Sequence, residues 1–571
     1  MCIRDRAQRR LSILAHAVVV LLLSLSFAPC AVWGLGDGFD VREATIGSVH
    51  EALSTGRATC REIVSAFLAR IEEFNPVINA VISLNPDALA AADRLDEALM
   101  AGDEATGALL FCVPVLLKDS YDAVGLATTG GCRALADNRP SADAPTVRAL
   151  KDAGAVILGK ANMHEMALEG LSVSSLGGQT VNPYDLTRTP GGSSGGSGAA
   201  LAANLAVLVT GTDTMNSLRS PASANSLFSF RPTRGLISRA GVIPVSFTQD
   251  AVGAMARTPE DLAVALTVMA NVGFDLRDYV TALAPPEVRD KDYYYSAIVD
   301  GDQSLKGLRL GLINGFFNHT PSGETTPVNH VMAAMVSQLT AAGAEIVNIT
   351  DPIYDALALA KLDVQAFEYR ELLDEYLAGA APPPSSSTPS SFHQLYNTTS
   401  FLVIPAQHPF IKRAASCSAH DPAYHTTLDR IHSLTTSLQT TFTTHNLTAL
   451  IYPEQKNLVV KLGNPSQSGR NGILAALTGH PVVCVPAGFS PPSVEAPAGV
   501  PVGMEILGRP WSEDRLLSIA RRISGLGPVR RMPPFAEGVV APKCYERVPR
   551  VRPDLGGIPA VYPLGVLDFG D

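Results

Sequence analysis

The chain has 571 residues, 46% of them hydrophobic and 17% charged, which supplies enough apolar side chain for a large buried core. A formal charge of −10 with no long lysine and arginine block leaves no electrostatic footprint for nucleic acid, and directs attention to small or neutral partners. The eight cysteines, at 2, 30, 60, 112, 132, 417, 484 and 544, show no C-x-x-C or other metal-ligand spacing, which argues against a zinc site.

Arg4, Arg6, Arg9 and Arg10 precede an apolar stretch, residues 11–28, that ends in small residues. That is the layout of a secretory signal peptide. A retained anchor is the alternative, because the run is near the minimum spanning length. Residues 1–34 are therefore read as signal peptide or N-terminal anchor, with any membrane contact confined to them. In either case the rest of the chain is expected to be secreted or to lie in the secretory lumen. Asn-x-Ser/Thr triplets at Asn318, Asn348, Asn397 and Asn446 agree with a glycosylated exported protein.

Past the leader, Ser48 with Glu51 and Thr59 with Glu62 each match the S/T-x-x-E box that opens a helix. The second box introduces Ile63, Phe67, Leu68, Ile71 and Phe74, one apolar stripe at helical spacing, expected to stop near Pro76. A polar-punctuated helix follows over residues 87–101. Residues 109–118 read as a strand, 144–152 as a helix with Gly154 as its C-cap, and 155–158 as a buried strand. This alternation predicts an α/β core. Residues 380–391, rich in proline and serine, read as an exposed insertion loop. The proline-rich residues 526–571 read as a tail wrapping the surface.

The stretch Gly191-Gly192-Ser193-Ser194-Gly195 fits G-x-S-x-G, but that nucleophile elbow needs a strand before it, and residues 182–190 are turn-rich. Residues 154–160 approach a phosphate-binding loop, yet Ala161 stands where a hydroxyl would meet magnesium. His164-Glu165 begins an H-E-x-x-H that Leu168 breaks, so His164 is read as a surface or helix-packing residue. It is also the only histidine between Lys118 and Ser217, which points away from a histidine base drawn from this region.

A serine hydroxyl is a poor nucleophile until its proton is taken, and a neutral amine can take it through a second hydroxyl. Lys118 follows the apolar run Pro114-Val115-Leu116-Leu117. Burial there would bring an amine from about 10.4 down to roughly 7 or 8, the range a base needs. The alternative is a surface lysine paired with Asp119, which would stay charged.

Pro114-Val115-Leu116-Leu117-Lys118-Asp119, Gly159-Lys160-Ala161-Asn162-Met163, residues 189–198 and Gly211-Thr212-Asp213-Thr214-Met215-Asn216-Ser217-Leu218-Arg219, in that order and spacing, resemble the amidase signature family. Downstream, Thr478-Gly479-His480-Pro481 and Val485-Pro486-Ala487-Gly488 are similar to its substrate-side half, so the resemblance covers residues 45–525. It implies an α/β fold, one catalytic domain with a large mixed β-sheet flanked by helices on both faces. It also implies Lys118 as base, Ser193 as a bridging serine in a cis peptide and Ser217 as nucleophile. The backbone N–H groups of Thr214, Met215, Asn216 and Ser217 correspond to the oxyanion hole, with Ser194, Asp213 and Arg219 in support. Asp213 and Arg219 are read as a loop-bracing ion pair. The expected substrate is a small amide, cleaved without a metal or organic cofactor.

Two departures bear on activity. The family commonly has Gly-Gly where this chain has Met215-Asn216, and a loop needing positive φ there would be strained by about 1 to 3 kcal/mol. Either the loop avoids positive φ at Met215, or the protein is an altered or catalytically silent member acting as a binding protein. Cys112, usually glycine in the family, is the second departure. The transamidating component of tRNA-dependent amidotransferases shares the signature, but the leader and the Asn-x-Ser/Thr triplets count against it.

Overall fold

The computed structural model describes residues 39–289, 293–299, 304–379, 388–527 and 529–567. The expected leader, residues 1–34, and positions 380–387 of the insertion loop lie outside the described residues.

Eleven strands form one mixed sheet. They are β1 (Val81–Leu84), β2 (Pro114–Lys118), β3 (Val156–Ala161), β6 (Leu208–Asp213), β7 (Phe228–Arg231), β8 (Ala251–Ala256), β9 (Arg309–Ile313), β10 (Glu345–Ile349), β11 (Ala449–Pro453), β12 (Val482–Phe489) and β13 (Pro501–Leu507). Their order is β1-β3-β2-β6-β8-β7-β12-β13-β11-β9-β10, with helices flanking the sheet. Two short strands, β4 (Val173–Ser174) and β5 (Gly178–Gln179), pair separately. This is the α/β architecture with a large mixed sheet that the resemblance implied.

β2 is parallel to both β3 and β6, and every residue of β2, β3 and β6 is buried. A parallel strand covered on both faces needs a continuous apolar run, which Pro114-Val115-Leu116-Leu117 supplies. Lys118 therefore ends a strand in the dry middle of the sheet. β6 runs alongside and ends at Asp213, from which the chain turns into the loop carrying Ser217. The glycine-rich stretch forms the fully buried helix Gly195–Ala202, and glycine is required there. A Cβ at Gly196 would lie 2.1 Å from the carbonyl oxygen of Asn162.

Several local expectations shift. The first helix is Ile46–Ser54, and its box is Thr45 with Ser48, each side chain closing on the other's backbone N–H, so Ser48 is the third helical residue and not the cap. The helix Cys60–Ile78 is capped by Thr59 and Glu62 as expected, yet runs through Pro76. The proline gives up one N–H bond, and the helix continues two residues further before it ends at Asn79 in the left-handed region that asparagine tolerates. Helices Ala88–Ala101 and Pro145–Asp152 fall where expected; Ala153 caps the second and Gly154 follows it with φ +89°.

The expected strand over 109–118 begins only at Pro114. Its first half is turned by Cys112, which has φ +61° and is disulfide-bonded to Cys60 at the start of the long helix. The backbone at 112 thus keeps a conformation glycine adopts freely, while the cysteine adds a cross-link. Cys544, in the C-terminal tail, is disulfide-bonded as well. That tail lies against the domain: Phe535 meets Phe74 edge to face, and Arg530 pairs with Glu43 at 2.6 Å.

The Cys60–Cys112 bond closes a separation of 52 residues. Loop-closure entropy sets its contribution at about 4 kcal/mol. The double variant Cys60→Ala, Cys112→Gly, in which glycine accepts the positive φ, should lose roughly that much in urea unfolding with an unchanged fold by circular dichroism.

Candidate active site

Lys118 is fully buried, and its amine touches two hydroxyls. Nζ donates to Ser193 Oγ at 2.7 Å and to Thr212 Oγ1 at 2.6 Å. Its backbone N–H donates to Thr210 Oγ1 at 3.0 Å, tying β2 to β6 at this level. Burial drives the amine down to about 7, against the opposing pull of the Asp213 and Asp250 carboxylates. The surface pairing with Asp119 does not occur. Asp119 is itself buried, accepts from Thr129 Oγ1 and the Gly131 N–H, and faces Lys160 Nζ at 3.5 Å.

Ser193 follows a cis peptide bond from Gly192. Its carbonyl accepts from the His164 N–H at 3.0 Å; His164 is buried in the turn after β3 and not on the surface. Burial holds its imidazole down to about 4, hence neutral. The next residue, Ser194, donates its N–H to the Ser217 carbonyl at 3.3 Å. Ser194 Oγ exchanges hydrogen bonds with the carbonyl and N–H of Thr212, both at 3.3 Å. Two consecutive serines thus link the Lys118 strand to the Ser217 loop, and all three sequence segments meet.

Neither Met215 nor Asn216 has positive φ; non-glycine residues that do include Cys112, Met166, Ala167 and Ser172. The loop therefore carries these side chains without the feared backbone strain. Among the described residues, the N–H groups of Met215, Asn216 and Ser217 donate to no protein acceptor, which leaves them free for an anionic oxygen. Met215 packs against the cluster containing Phe316, Tyr452 and Ile473. Thr214 Oγ1 donates to Asp250 Oδ1 at 2.6 Å.

Behind the loop, Arg219 grips Asp213 with two N–H groups at 3.0 and 2.9 Å, and Glu505 on β13 with a third at 2.8 Å. Arg231 reaches Asp213 at 2.8 Å. The Arg219 and Arg231 guanidiniums hold the Asp213 carboxyl far below the usual carboxylate range despite its burial. The Arg219 fork also donates to the carbonyls of Met215 and Gly472. It braces the loop as expected from sequence, with Glu505 and Arg231 as additional partners that the motif did not reveal.

Thr214, Met215 and Ser217 line a small cavity of about 70 Å³ with Glu169, Gln407, Phe410 and Arg470. Glu169 is held there by Arg470 at 2.9 Å and Gln407 at 2.9 Å. A larger cavity of about 890 Å³, lined by Leu53, Phe111, Val264 and Tyr295, includes none of Lys118, Ser193 and Ser217. Ser217 lines the small cavity, which marks it as the candidate site; Lys118 and Ser193 are fully buried and line neither cavity.

Residues 62–517 match the model of the amidase family, and the chain belongs to the amidase signature family. It is 33% identical over 507 residues to a glutamyl-tRNA(Gln) amidotransferase subunit of Alkalilimnicola ehrlichii, covering 84% of this chain and 97% of that protein. It is 31% identical over 533 residues to a probable amidase of Arabidopsis thaliana, covering 90% and 97%. Among solved structures, the native peptide amidase of Stenotrophomonas maltophilia superposes with a TM-score of 0.74 at 31% identity, over 87% of this chain and 99% of that one.

Removing one partner from a fully buried ion cluster strands the others, at a cost of about 3 to 5 kcal/mol. Arg219→Met should lower the unfolding free energy by that amount, measured in urea. An unchanged midpoint would show that the cluster contributes nothing to holding the loop.

Proposed function

We propose that the protein is an amidase that hydrolyses the C–N bond of a linear carboxamide through an acyl-enzyme on Ser217. The observation that carries this reading is the 2.7 Å contact between a fully desolvated Lys118 and Ser193. Thr212 Oγ1 takes one N–H of the neutral amine, which aims its lone pair at the Ser193 hydroxyl. Ser193 then passes its proton to Lys118 as it takes one from Ser217, and Ser217 Oγ attacks the carbonyl carbon. The developing oxyanion is received by the N–H groups of Thr214, Met215, Asn216 and Ser217, each such donor contributing about 2.7 to 4 kcal/mol. The proton returns through Ser193 to the leaving amine, and water repeats the relay in reverse to free the acid.

Met215 beside Ser217 in a cavity of about 70 Å³ favours the alternative of a catalytically silent binding protein. Labelling with a fluorophosphonate separates the two. Wild type should label at Ser217 and Ser217→Ala not at all, while Lys118→Ala and Ser193→Ala should slow labelling about 10²- to 10⁴-fold. A folded wild type that never labels would leave only the silent reading. The labelling rate should also rise as pH passes upward through about 7, because the amine must lose its proton before it can act.

We further infer maturation in the secretory pathway. The Cys60–Cys112 bond suits an oxidising compartment, which weighs against a cytosolic transamidating role despite the similarity to an amidotransferase component. The sequon asparagines Asn348, Asn397 and Asn446 are exposed, and Asn318 is half-buried. Protein expressed in a eukaryotic secretory host should lose mass on treatment with peptide N-glycosidase F; an unaltered mass would remove the glycoprotein inference.

A further inference from the structure

Resting on the amidase reading above, we propose that Glu454 is a positioning residue whose uncharged carboxyl holds the Asn216 side chain, and through it the N–H groups that receive the oxyanion. Asn216 and Glu454 are both fully buried, and Asn216 Nδ2 donates to Glu454 Oε1 at 2.9 Å across 238 residues of sequence. Glu454 is fixed on both sides of its backbone: its N–H donates to the Gly503 carbonyl at 3.0 Å, and its carbonyl accepts from the Asn471 N–H at 2.9 Å. It can therefore serve as an anchor. Asn216 is continuous with the machinery it would set, since its carbonyl accepts from the Ser220 N–H at 2.8 Å and its main chain lies between Met215 and Ser217.

The pairing of the buried charges beneath the loop favours a neutral Glu454. Arg219 and Arg231 supply two positive charges, and Asp213 and Glu505 two negative ones, all mutually paired. Among the described residues, Glu454 has no cation in hydrogen-bond contact; its side chain has the amide of Asn216 as partner. The remaining oxygens of that couple, Glu454 Oε2 and Asn216 Oδ1, are both buried and without a partner. A carboxylate would leave Oε2 with a naked charge, whereas a carboxylic acid turns the same oxygen into a donor suited to an amide carbonyl such as Asn216 Oδ1. Burial first, and then the charge of Glu505, push this carboxyl upward, while Asn216, Arg219 and Arg470 pull the other way. Tyr452 and Cys484 are the other titratable groups that face this carboxyl pair.

The geometry accounts for a departure noted in the sequence. The glycine pair common in the family leaves a loop without side-chain anchors. Here Met215 is held by apolar packing and Asn216 by Glu454. Close packing beneath leaves little slack: a Cβ at Gly472 would lie 2.5 Å from the Asn216 Cβ.

The test compares wild type with Glu454→Gln, Glu454→Ala, Asn216→Ala and the double alanine variant, using fluorophosphonate labelling rate against pH and urea unfolding against pH. Gln keeps an acceptor for Asn216 but cannot ionise. It should label within about threefold of wild type at neutral pH and lack an alkaline decline that wild type shows, since an ionised Glu454 would set a negative charge against the oxyanion. Each alanine variant should label about 10- to 100-fold more slowly, as expected of a displaced site, and the double variant no more slowly than the worse single one. Additive losses, or the same alkaline decline in Glu454→Gln, would overturn the proposal. In unfolding, a carboxyl whose proton is held more tightly when folded makes stability fall as pH rises from the ordinary carboxyl range through its raised value. The difference between wild type and Glu454→Gln should show that fall. Should wild type fail to label at any pH, the amidase reading fails by itself, and the unfolding arm alone decides whether Glu454 is neutral: equal pH dependence in both proteins would refute it.

Discussion

The site depends on an amine kept dry. Lys118 ends a strand whose preceding four residues are apolar and whose neighbours on both sides are buried strands, so water does not reach Nζ. The cost of holding a charge there is what brings the amine to about 7, the range that the proposed role of base requires. A lysine at the end of an edge strand, or in a polar strand, would stay protonated and useless. The parallel packing of β2 between β3 and β6 removes water and delivers Thr212 to this nitrogen, and the turn before the buried helix Gly195–Ala202 brings Ser193 to it.

The Ser217 loop raises a second problem, since it must be held without regular hydrogen bonding. The solution is a buried set of charges that nearly cancels: Asp213, Arg219, Arg231 and Glu505, knitted across β6, β7, β13 and the loop. Such clusters are weak sources of net stability, because desolvation offsets much of their attraction, but they tolerate no missing member. Their value lies in geometry. Arg219 fixes the carbonyls of Met215 and Gly472 with the same fork that grips Asp213.

Much of this is legible in sequence where it is written locally. Lys118, Ser193, Ser217 and the Asp213–Arg219 pair lie in continuous segments whose residue types announce their chemistry, and the alternation of elements announces the sheet. What sequence reading misses depends on distant strands. Glu505, Arg231 and Glu454 sit in stretches that read as ordinary strand and loop, and only the antiparallel pairing of β13 with β11 and β12 brings the two glutamates beneath the loop. Local boundaries fail for smaller reasons. The Thr45 box uses serine where the pattern seeks glutamate, and Cys112 turns the chain with a positive φ that a cysteine in an apolar run does not announce. Pro76 gives up a single helical N–H bond, and the helix continues two residues beyond it to Ile78.

The account stands on the protonation of one nitrogen. With lysine labelled with ¹⁵N at Nζ, and Lys118→Met to assign its resonance, an NMR titration should show Lys118 losing its proton with a midpoint near 7. A midpoint close to the ordinary lysine value of 10.5 would contradict it.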